Sequence, residues 1–383
     1  MEDYAIGIRR QLHMYPEVGF DLPRTLALLR SELDKIGVAY TEEYGKSSIV
    51  ATVNPEKDRF TIGVRADTDA LPICEKNDVP YKSRIEGQMH ACGHDAHTAV
   101  ALTTLRRIYE MRDKINCRVK FIFQSAEEYD VSGAKLMAED GVMDDIDCIV
   151  SLHCDVNFPA GVIGLTPAEQ SAVSDGFFLD FYGRSAHVAK QESGVDAVMM
   201  AVRAYTDIEF MVAKEFPAKT PIIFNVGSIH AGKANNVIPD RCTRFCSLRN
   251  FTEENSEKSI RRVKEIIECV AKSAGGRATF TPSKHYPILY NDETMTERMR
   301  AAAEKVVGAD HIVPNGRGLG GEDFSYFARL KPGCMFRLGT RNEERGIVNV
   351  AHTDTFDIDE AALEVGVRVF TQFILDNMDG IRF

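Results

Sequence analysis

Three short apolar segments in the first half of the chain each run directly into a cluster of polar residues. The segments, residues 60–65, 119–123 and 148–152, have the length and the β-branched and aromatic content of buried strands. Two helical patterns, residues 23–33 and 94–111, lie between or before them. Buried strands that alternate with helices predict a mostly parallel sheet covered by helices on both faces.

The middle third of the chain has a different pattern. Its predicted elements are a strand at 177–182, a helix at 195–212, strands at 222–229 and 241–248, a helix at 253–274 and a strand at 278–285. This β-α-β-β-α-β order is that of a ferredoxin-like unit. We therefore predict an α/β chain with a catalytic domain in two parts, 1–172 and 287–383, and an inserted ferredoxin-like α+β small domain at 173–286.

Composition narrows the class of protein. A chain of 383 residues with 44% hydrophobic and 27% charged residues is long enough for two packed domains. The net charge of −11 argues against nucleic-acid and anionic-membrane partners. No apolar stretch of about 18 residues is present, and the charged start lacks a signal-peptide pattern. The nine cysteines are an odd number without regular spacing, which indicates reduced thiols rather than disulfides. We therefore expect a cytoplasmic location.

The polar clusters follow the predicted strands at the point where each strand ends. Asp67 and Asp69 follow the first strand, Glu127 and Glu128 the second, and His153 the third. Ligands of open α/β sheets bind beyond the carboxyl ends of the strands. We therefore expect these side chains to share one edge of the sheet.

A fourth cluster directly precedes the helix at 94–111. Cys92 and His94 are separated only by Gly93, so a tight turn can aim a thiolate and an imidazole at one point. Thiolate, imidazole and carboxylate are the usual ligands of zinc. Two metal ions about 3.5–4 Å apart need a bridging ligand, and Cys92 is a candidate for that role.

The pair Glu127-Glu128 suits hydrolysis. Because side chains alternate at a strand, we expect adjacent carboxylates to point in different directions. One can bind metal while the other takes a proton from the attacking water. We assign Glu128 as ligand and Glu127 as base, although chemistry alone also permits the reverse.

These residues lie within a longer series of matching segments. In that series the chain resembles the M20-type metal-dependent amidohydrolases, in the branch of hippurate hydrolases, auxin-conjugate hydrolases and N-acetyl-diaminopimelate deacetylases of the aminoacylase and carboxypeptidase clan. The matching positions span nearly the whole chain and are Arg9–His13, Pro16-Glu17, Arg65–Pro72, Met89–Asp95, Gln124–Glu128, Leu152-His153, Gly183–His187, Asn236–Pro239, Arg249, Gly321–Phe324, His352, Phe356 and Asp359-Glu360. The run Met-His-Ala-Cys-Gly-His-Asp is very specific to this branch.

The resemblance implies a dinuclear metal site and a dimer formed through the small domain. It implies Glu127 as base and the following metal ligands: Cys92, His94, Glu128, His153 and His352. His352 lies about 200 residues from the others, so spacing alone does not identify it. The donors favour zinc, while manganese, nickel and cobalt are alternatives.

The resemblance also assigns residues outside the ligand set. His187 matches a small-domain histidine that steadies the oxyanion of the transition state. Asn236 and Arg249 match positions that line the substrate cleft, and Arg249 suits a substrate carboxylate. Asp67 is expected to orient a ligand histidine from behind the site.

We therefore predict hydrolysis of N-acyl amino acids to a free amino acid and a carboxylic acid. A metallodipeptidase or aminopeptidase of the same clan is the main alternative. A cysteine hydrolase that uses Cys92 and His94 is disfavoured, because catalytic Cys and His are usually distant in sequence. A non-catalytic binding protein is disfavoured because every ligand position is filled.

Overall fold

The computed structural model describes residues 2–383 and divides them into two compact units. The first unit contains residues 2–170, 290–316 and 323–383, and the second contains residues 171–289 and 317–322. The predicted domain limits at 172/173 and 286/287 stay a prediction. The small domain predicted at 173–286 does not contain the segment 317–322, which belongs to the second unit. The helices are α1 (Glu2–Met14), α2 (Pro23–Ile36), α3 (His94–Glu110), α4 (Gly133–Glu139), α5 (Ala197–Lys214), α6 (Glu253–Ser273), α7 (Glu293–Val307), α8 (Ser325–Ala328) and α9 (Ala361–Asn377).

The strands of the first unit form one large sheet and one short ladder. They are β1 (Ala39–Thr41), β2 (Ile49–Val53), β3 (Thr61–Asp67), β4 (Arg118–Gln124), β5 (Cys148–Pro159), β6 (Ile163–Gly164), β7 (Ala168–Glu169), β14 (Tyr290–Asn291), β15 (Ile312–Val313) and β16 (Gly333–Arg341). The strands of the second unit are β8 (Val173–Tyr182), β9 (Ala186–His187), β10 (Ile223–Ala231), β11 (Val237–Ile238), β12 (Arg241–Asn250) and β13 (Arg277–Tyr286).

The large sheet of the first unit has eight strands in the order β1-β2-β4-β3-β5-β16-β6-β15. Its central strands β4, β3, β5 and β16 are parallel, and every residue of β3 is buried. Apolar residues of α1, α2, α3, α7 and α9 pack with the sheet in one core. The prediction of a mostly parallel, helix-covered sheet is confirmed, as a sheet buried on both faces requires near-continuous apolar strands.

The second unit has a four-stranded antiparallel sheet in the order β10-β12-β8-β13. Its elements follow each other as β8, α5, β10, β12, α6 and β13, which confirms the ferredoxin-like prediction. Alternate residues of β8, among them Phe177, Leu179 and Phe181, are buried. They pack with the inner faces of α5 and α6 in a core of their own.

One predicted boundary is wrong in a way that matters for the site. The sequence pattern ended the third strand at residue 152, but β5 continues to Pro159. The strand is longer because β16 remains paired with it from Gly333 opposite Ile149 to Arg341 opposite Pro159. His153 therefore lies inside a strand rather than after it. None of the helices within residues 2–383 is both long enough and apolar enough to cross a membrane.

Candidate active site

The three polar clusters lie at one edge of the large sheet, as predicted. Strand β3 is paired in parallel with β4 on one side and β5 on the other, so the three strands end in the same direction. Asp67 is the last residue of β3, and Glu127 comes three residues after β4. His153 lies on β5 opposite Arg337 of β16. The sheet alone thus brings carboxylates and an imidazole from distant segments together.

The turn between Cys92 and His94 depends on the glycine between them. Gly93 has a φ of 86° and immediately precedes α3. A Cβ at this position would lie 3.1 Å from the Cβ of Cys154, so only glycine combines this conformation with this close approach. The turn places the Cys92 Sγ 3.5 Å from the His153 Nε2.

The Glu127-Glu128 pair lies in a loop and not at the end of a strand. The preceding Ala126 has a φ of 53°, a left-handed conformation that redirects the chain after β4. Both backbone N–H groups of the pair donate to Asp69, Glu127 to Oδ1 at 2.9 Å and Glu128 to Oδ2 at 3.1 Å. Our argument from strand alternation is therefore wrong, because the loop and Asp69 set the direction of these side chains. One carboxylate oxygen of each glutamate lies within 4.8 Å of the other and of a ring nitrogen of His94.

His352 reaches the site from the last part of the chain. Its φ is 66°, and its backbone N–H donates to the carbonyl of Ala91 at 2.7 Å. The Nε2 of His352 lies 2.8 Å from an Oε of Glu128, with the imidazole 52% exposed. Residues other than glycine seldom adopt the left-handed backbone conformation, but Ala126 and His352 both adopt it at this site.

The predicted ligands form two groups that share Cys92. The donor atoms of Cys92, His94 and His153 lie within 4.8 Å of one another, and so do those of Cys92, Glu128 and His352. All five predicted ligands are thus brought together. A shared thiolate with separate ligands on each side is the donor arrangement that a two-metal site requires.

The imidazoles of His94 and His153 are oriented as metal ligands need to be. The Nδ1 of His94 lies 2.9 Å from the carbonyl of Asp69, and the Nδ1 of His153 lies 2.8 Å from the carbonyl of Cys154. A carbonyl only accepts, so Nδ1 is the protonated nitrogen in the neutral form of each ring, and Nε2 is then the nitrogen that can bind a cation. The Nε2 of His94 is buried and has no hydrogen-bond partner within residues 2–383. A buried ring nitrogen without a partner is costly, and a bound cation that replaces any proton on it would satisfy it.

A second layer of charged side chains lies behind His94. Asp67 accepts from the Nδ1 of His97 at 2.6 Å and from Arg65 at 2.8 Å, while the Nε2 of His97 accepts from the backbone N–H of Cys154 at 2.8 Å. Asp67 lies 3.7 Å from the Nε2 of His94. The role of Asp67 in orienting a ligand stays a prediction, because the hydrogen bond that fixes His94 goes to Asp69.

Burial and charge shift the protonation of these groups. Burial opposes the charged form of Asp67, but His94, His97 and Arg65 outweigh it and hold the pKa of Asp67 well below its usual value. Burial also opposes protonation of His94, but Asp67 and Cys92 hold the pKa of His94 well above its usual value. The surroundings of His94 are therefore negative enough to attract a cation.

The surroundings of Cys92 keep its thiol protonated when no cation is near. Burial, with the charge of Glu128 added, raises the pKa of Cys92 far above that of a free thiol. A thiol in such surroundings ionises when a cation compensates its charge. This donor is therefore suited to metal binding and poorly suited to act as a nucleophile by itself.

A further buried network fixes the helix that carries His94. Arg9 donates to Asp95 at 2.8 Å and to Asp357 at 2.8 Å, and His13 lies 2.7 Å from the same Asp95 oxygen. Arg9, His13 and Asp95 are each at most 1% exposed. The positions of Arg9 and His13, which the sequence marked only through the resemblance, thus support the first turn of α3.

Three predicted residues lie in the second unit. His187 forms the short β9 ladder with Val237 of β11, and the carbonyl of Asn236 accepts from the backbone N–H of Val188 at 3.0 Å. His187 and Asn236 are therefore neighbours. Arg249, on β12, donates to the carbonyl of Leu319 at 2.6 Å.

Sequence reasoning missed two residues of the site. Asp69 was noted only as part of a polar cluster, but its carboxylate and its carbonyl hold Glu127, Glu128 and His94. His97, one helical turn after Gly93, was not singled out. Its spacing of three from His94 was the available signal, since positions i and i+3 share a helix face.

The chain is similar to curated proteins along most of its length. It is 31% identical over 369 residues to thermostable carboxypeptidase 1 of Saccharolobus solfataricus, covering 96% of this chain and 93% of that protein. It is 32% identical over 363 residues to an N-acetyl-L-cysteine deacetylase of Bacillus subtilis, covering 95% and 85%. It is 30% identical over 371 residues to an IAA-amino acid hydrolase of Arabidopsis thaliana, covering 96% and 83%.

Solved structures share the whole fold. An aminohydrolase from methicillin-resistant Staphylococcus aureus superposes with a TM-score of 0.91 at 28% identity, covering 98% of this chain and 96% of that one. A dinuclear metal-binding M20 peptidase of Bacillus subtilis gives a TM-score of 0.82 at 27% identity, covering 99% of both chains. The sequence profile of peptidase family M20/M25/M40 matches residues 63–376, which include every predicted ligand. The chain therefore belongs to peptidase family M20/M25/M40.

Proposed function

We propose that this protein hydrolyses the amide bond of N-acyl amino acids with the help of two divalent metal ions. The observation that carries the proposal is the pair of donor groups that share Cys92, with the Nε2 of His94 buried and without a hydrogen-bond partner within residues 2–383. The acyl amino acid is the substrate named for two relatives that cover nearly all of this chain, a deacetylase and an IAA-amino acid hydrolase. Membership of the peptidase family supports amide-bond hydrolysis as the reaction.

We assign the ligands to two ions that share the Cys92 thiolate. His94 and His153 would complete one ion's set, and Glu128 and His352 the other's. When bound, two such ions would polarise the amide carbonyl and lower the pKa of a water molecule. A thiolate with three imidazoles favours zinc, and manganese, nickel or cobalt can occupy the same donors.

Proton transfer is assigned to Glu127. Its side chain is 5% exposed, and one of its carboxylate oxygens lies beside Glu128 and His94. A carboxylate in this position can accept a proton from the attacking water and deliver it to the leaving nitrogen. Asp69 holds the backbone of Glu127 in place, so the base needs little rearrangement during the reaction.

Three residues of the second unit are assigned to contacts with the oxyanion and with the substrate. We propose that His187 donates to the developing oxyanion and that Asn236 and Arg249 bind the substrate, with Arg249 facing its carboxylate. The sequence resemblance and the adjacency of His187 to Asn236 support these assignments.

The second unit also carries the features expected of a subunit contact. Met199, Val202 and Phe210 form an apolar stripe on α5 and are 64%, 50% and 66% exposed. Strand β10 lies at the edge of the four-stranded sheet, with Ile223 and Ile229 exposed. Exposed apolar stripes and unpaired edges are usually covered by a partner. We propose a homodimer formed through this unit; the cytoplasmic location stays a prediction.

A peptidase of the same family is the second candidate. The thermostable carboxypeptidase of Saccharolobus solfataricus matches this chain as well as the deacetylase does, which favours keeping it. The two activities would use the same ligands and differ in the acyl part of the amide, which in a dipeptide carries a free amine.

The test is a hydrolysis screen of the purified protein loaded with zinc or manganese. N-acetyl, N-benzoyl and indole-acetyl amino acids are compared with dipeptides, with and without a chelator. We expect chelator-sensitive release of amino acid from at least one acyl class. Cleavage of dipeptides alone would instead establish the peptidase activity.

The Glu127→Gln variant separates catalysis from metal binding. We expect turnover to fall by about 10²–10⁴-fold, the usual contribution of a general base, with two ions per chain still present by elemental analysis. Glu139→Gln, which alters an exposed glutamate of α4, is the matched control and should be fully active. Full activity of the Glu127→Gln variant would contradict the assignment.

A further inference from the structure

Strand β16 places an arginine directly beside one of the proposed metal ligands. Arg337 of β16 is paired with His153 of β5, and these two strands are parallel. Paired residues of neighbouring strands lie on the same face of a sheet, with the strands about 4.8 Å apart. Phe336 and Leu338, on either side of Arg337, pack in the core on the opposite face. Arg337 therefore lies on the same face of the sheet as the imidazole of His153.

The guanidinium of Arg337 is close enough to His153 to act on its charge. Burial, and after it the charge of Arg337, hold the pKa of His153 well below its usual value. Arg337 contributes more to this shift than His97, whose ring centroid is 4.8 Å from that of His153. The arginine is thus near the imidazole itself as well as near the backbone of β5.

The charge of Arg337 has no partner within residues 2–383. The side chain is partly buried, and in that part of the chain it forms no ion pair and no side-chain hydrogen bond. By contrast, Arg341 of the same strand pairs with Glu343 at 3.5 Å. The buried Arg9 and Arg65 of the same unit each contact at least two carboxylates. The planar fork of donors on Arg337 is therefore free to bind an anion.

A glycine keeps space open beside Arg337. Gly164 of β6 is paired with Arg337, and a Cβ on Gly164 would lie 3.0 Å from the Cβ of Arg337 and 3.0 Å from the Cβ of Asn315. Asn315 is fixed by its own bonds, since its backbone N–H donates to the Oγ1 of Thr166 at 3.1 Å and its Nδ2 to the Oε1 of Gln170 at 2.9 Å. The Oδ1 of Asn315 is buried and has no hydrogen-bond partner within residues 2–383. The amide next to Arg337 therefore does not engage the guanidinium.

We propose that Arg337 binds a second carboxylate of the substrate, in addition to the α-carboxylate assigned to Arg249, so that the protein favours acyl amino acids with two acid groups. The inference rests on the proposed function and narrows its substrate class. Divalent cations held by the neighbouring ligands would repel the guanidinium, and an anionic group of the substrate compensates this charge. Two-pronged bonds between an arginine and a carboxylate are about twice as strong as neutral hydrogen bonds. The second acid belongs either to a dicarboxylic acyl group or to an acidic amino-acid side chain, and the test separates these two sources.

The test replaces Arg337 and compares acidic substrates with neutral analogues of the same shape. N-succinyl-alanine is compared with N-succinamoyl-alanine for the acyl source, and N-acetyl-glutamate with N-acetyl-glutamine for the side-chain source. We expect Arg337→Met to lower kcat/KM by about 10–100-fold for one acidic substrate and by less than about 2-fold for its neutral analogue. Arg337→Lys, which keeps the charge but not the fork, should lose less of the preference. Arg341→Met, on the same strand, is the matched control and should behave as the parent protein does.

Calorimetric binding of the product acids gives a readout that does not depend on turnover. The parent protein should bind succinate more tightly than succinamate, or glutamate more tightly than glutamine, by about 10-fold, and Arg337→Met should lose that difference. An equal loss of kcat/KM for acidic and neutral substrates, as an α-carboxylate contact or a folding defect would give, would overturn the proposal.

The same binding comparison separates failure of this inference from failure of the proposed function. If the parent protein cleaves no acyl amino acid, the proposed function fails, and binding alone then decides the role of Arg337. A preference for the acidic ligand that disappears in Arg337→Met would support recognition of an acid by this side chain. Equal binding of acidic and neutral ligands by the parent protein would overturn it.

Discussion

The two units of this protein differ in how their buried arginines are compensated. In the first unit, Arg9 and Arg65 are fully buried and each contacts two or more carboxylates. In the second unit, the buried Arg244 lies over the rings of Phe181 and Tyr205, and the arginines paired with Asp180 and Glu215 keep 61% and 33% of their side chains exposed. The core of that unit is built from apolar residues of the sheet and of its two helices.

This difference reflects what each unit has to hold in place. Burying a charge is costly unless several partners compensate it, so buried ion pairs contribute little net stability. The first unit nevertheless has buried ion pairs directly behind the strand ends that carry the ligands. Arg65 contacts Asp67, Gln124 and Asp323, which belong to three separate segments of that edge. We infer that these charges fix the geometry of the site.

The largest expected difference between the units is in the free energy of unfolding that is lost when a buried arginine of the first unit or a partly exposed arginine of the second is replaced. Arg65→Met leaves Asp67 and Asp323 buried without their cation, so we expect the free energy of unfolding to fall by about 3–5 kcal/mol. Arg241→Met removes the partly exposed pair with Asp180 and should cost about 0–1 kcal/mol. Urea unfolding of both variants, in the presence of chelator, measures the contrast. Equal losses would show that the two units do not differ in this respect.

A smaller effect is expected from the carboxylate that holds the Glu127-Glu128 loop. Asp69→Asn keeps the volume but supplies one acceptor oxygen in place of two, so one of two buried N–H groups loses its partner. We expect kcat/KM or metal affinity to fall by about 10–100-fold, with the fold retained. Steady-state kinetics with elemental analysis, alongside circular dichroism, test this. Asp180→Asn in the second unit is the control, and its activity should be unchanged.

The smallest effect on folding is expected on the exposed stripe of α5. Phe210→Glu replaces a side chain that is 66% exposed, so the free energy of unfolding at a fixed subunit state should change by no more than about 0.5 kcal/mol. The same change places a charge in the proposed dimer contact, and sedimentation should show a shift from dimer to monomer. A Lys214→Glu variant at the end of the same helix serves as a control for added negative charge. A dimer that persists in Phe210→Glu would argue against this contact.

The sequence was sufficient to predict the frame of the site. Apolar strands that end in Asp67, Glu128 and His153 predicted a shared sheet edge, and parallel pairing of β3 with β4 and β5 provides it. The β-α-β-β-α-β order likewise predicted the second unit. These features depend on local periodicity and on general rules of chain topology, which a single sequence contains.

The fine geometry of the site depends on contacts that local patterns do not encode. His352 approaches Glu128 because its backbone bonds to Ala91, more than 250 residues earlier in the chain. Asp69 was inconspicuous because its partners are backbone N–H groups, which every residue has. The strand rule also failed for Glu127, because the left-handed Ala126 intervenes.

The loop that carries Glu127 and Glu128 is closed at its base by Ala126 and Gly133, and this closure determines which of its positions can tolerate mutation. A side chain at Gly133 would collide with the Ser125 carbonyl, and Ala126 accepts the hydrogen bond that closes the loop, so this pair of positions is tightly constrained. Between them, Tyr129 and Val131 are half-exposed, so these two positions are less constrained by packing. Mutation can therefore diversify the surface beside the carboxylates while the carboxylates themselves stay in place.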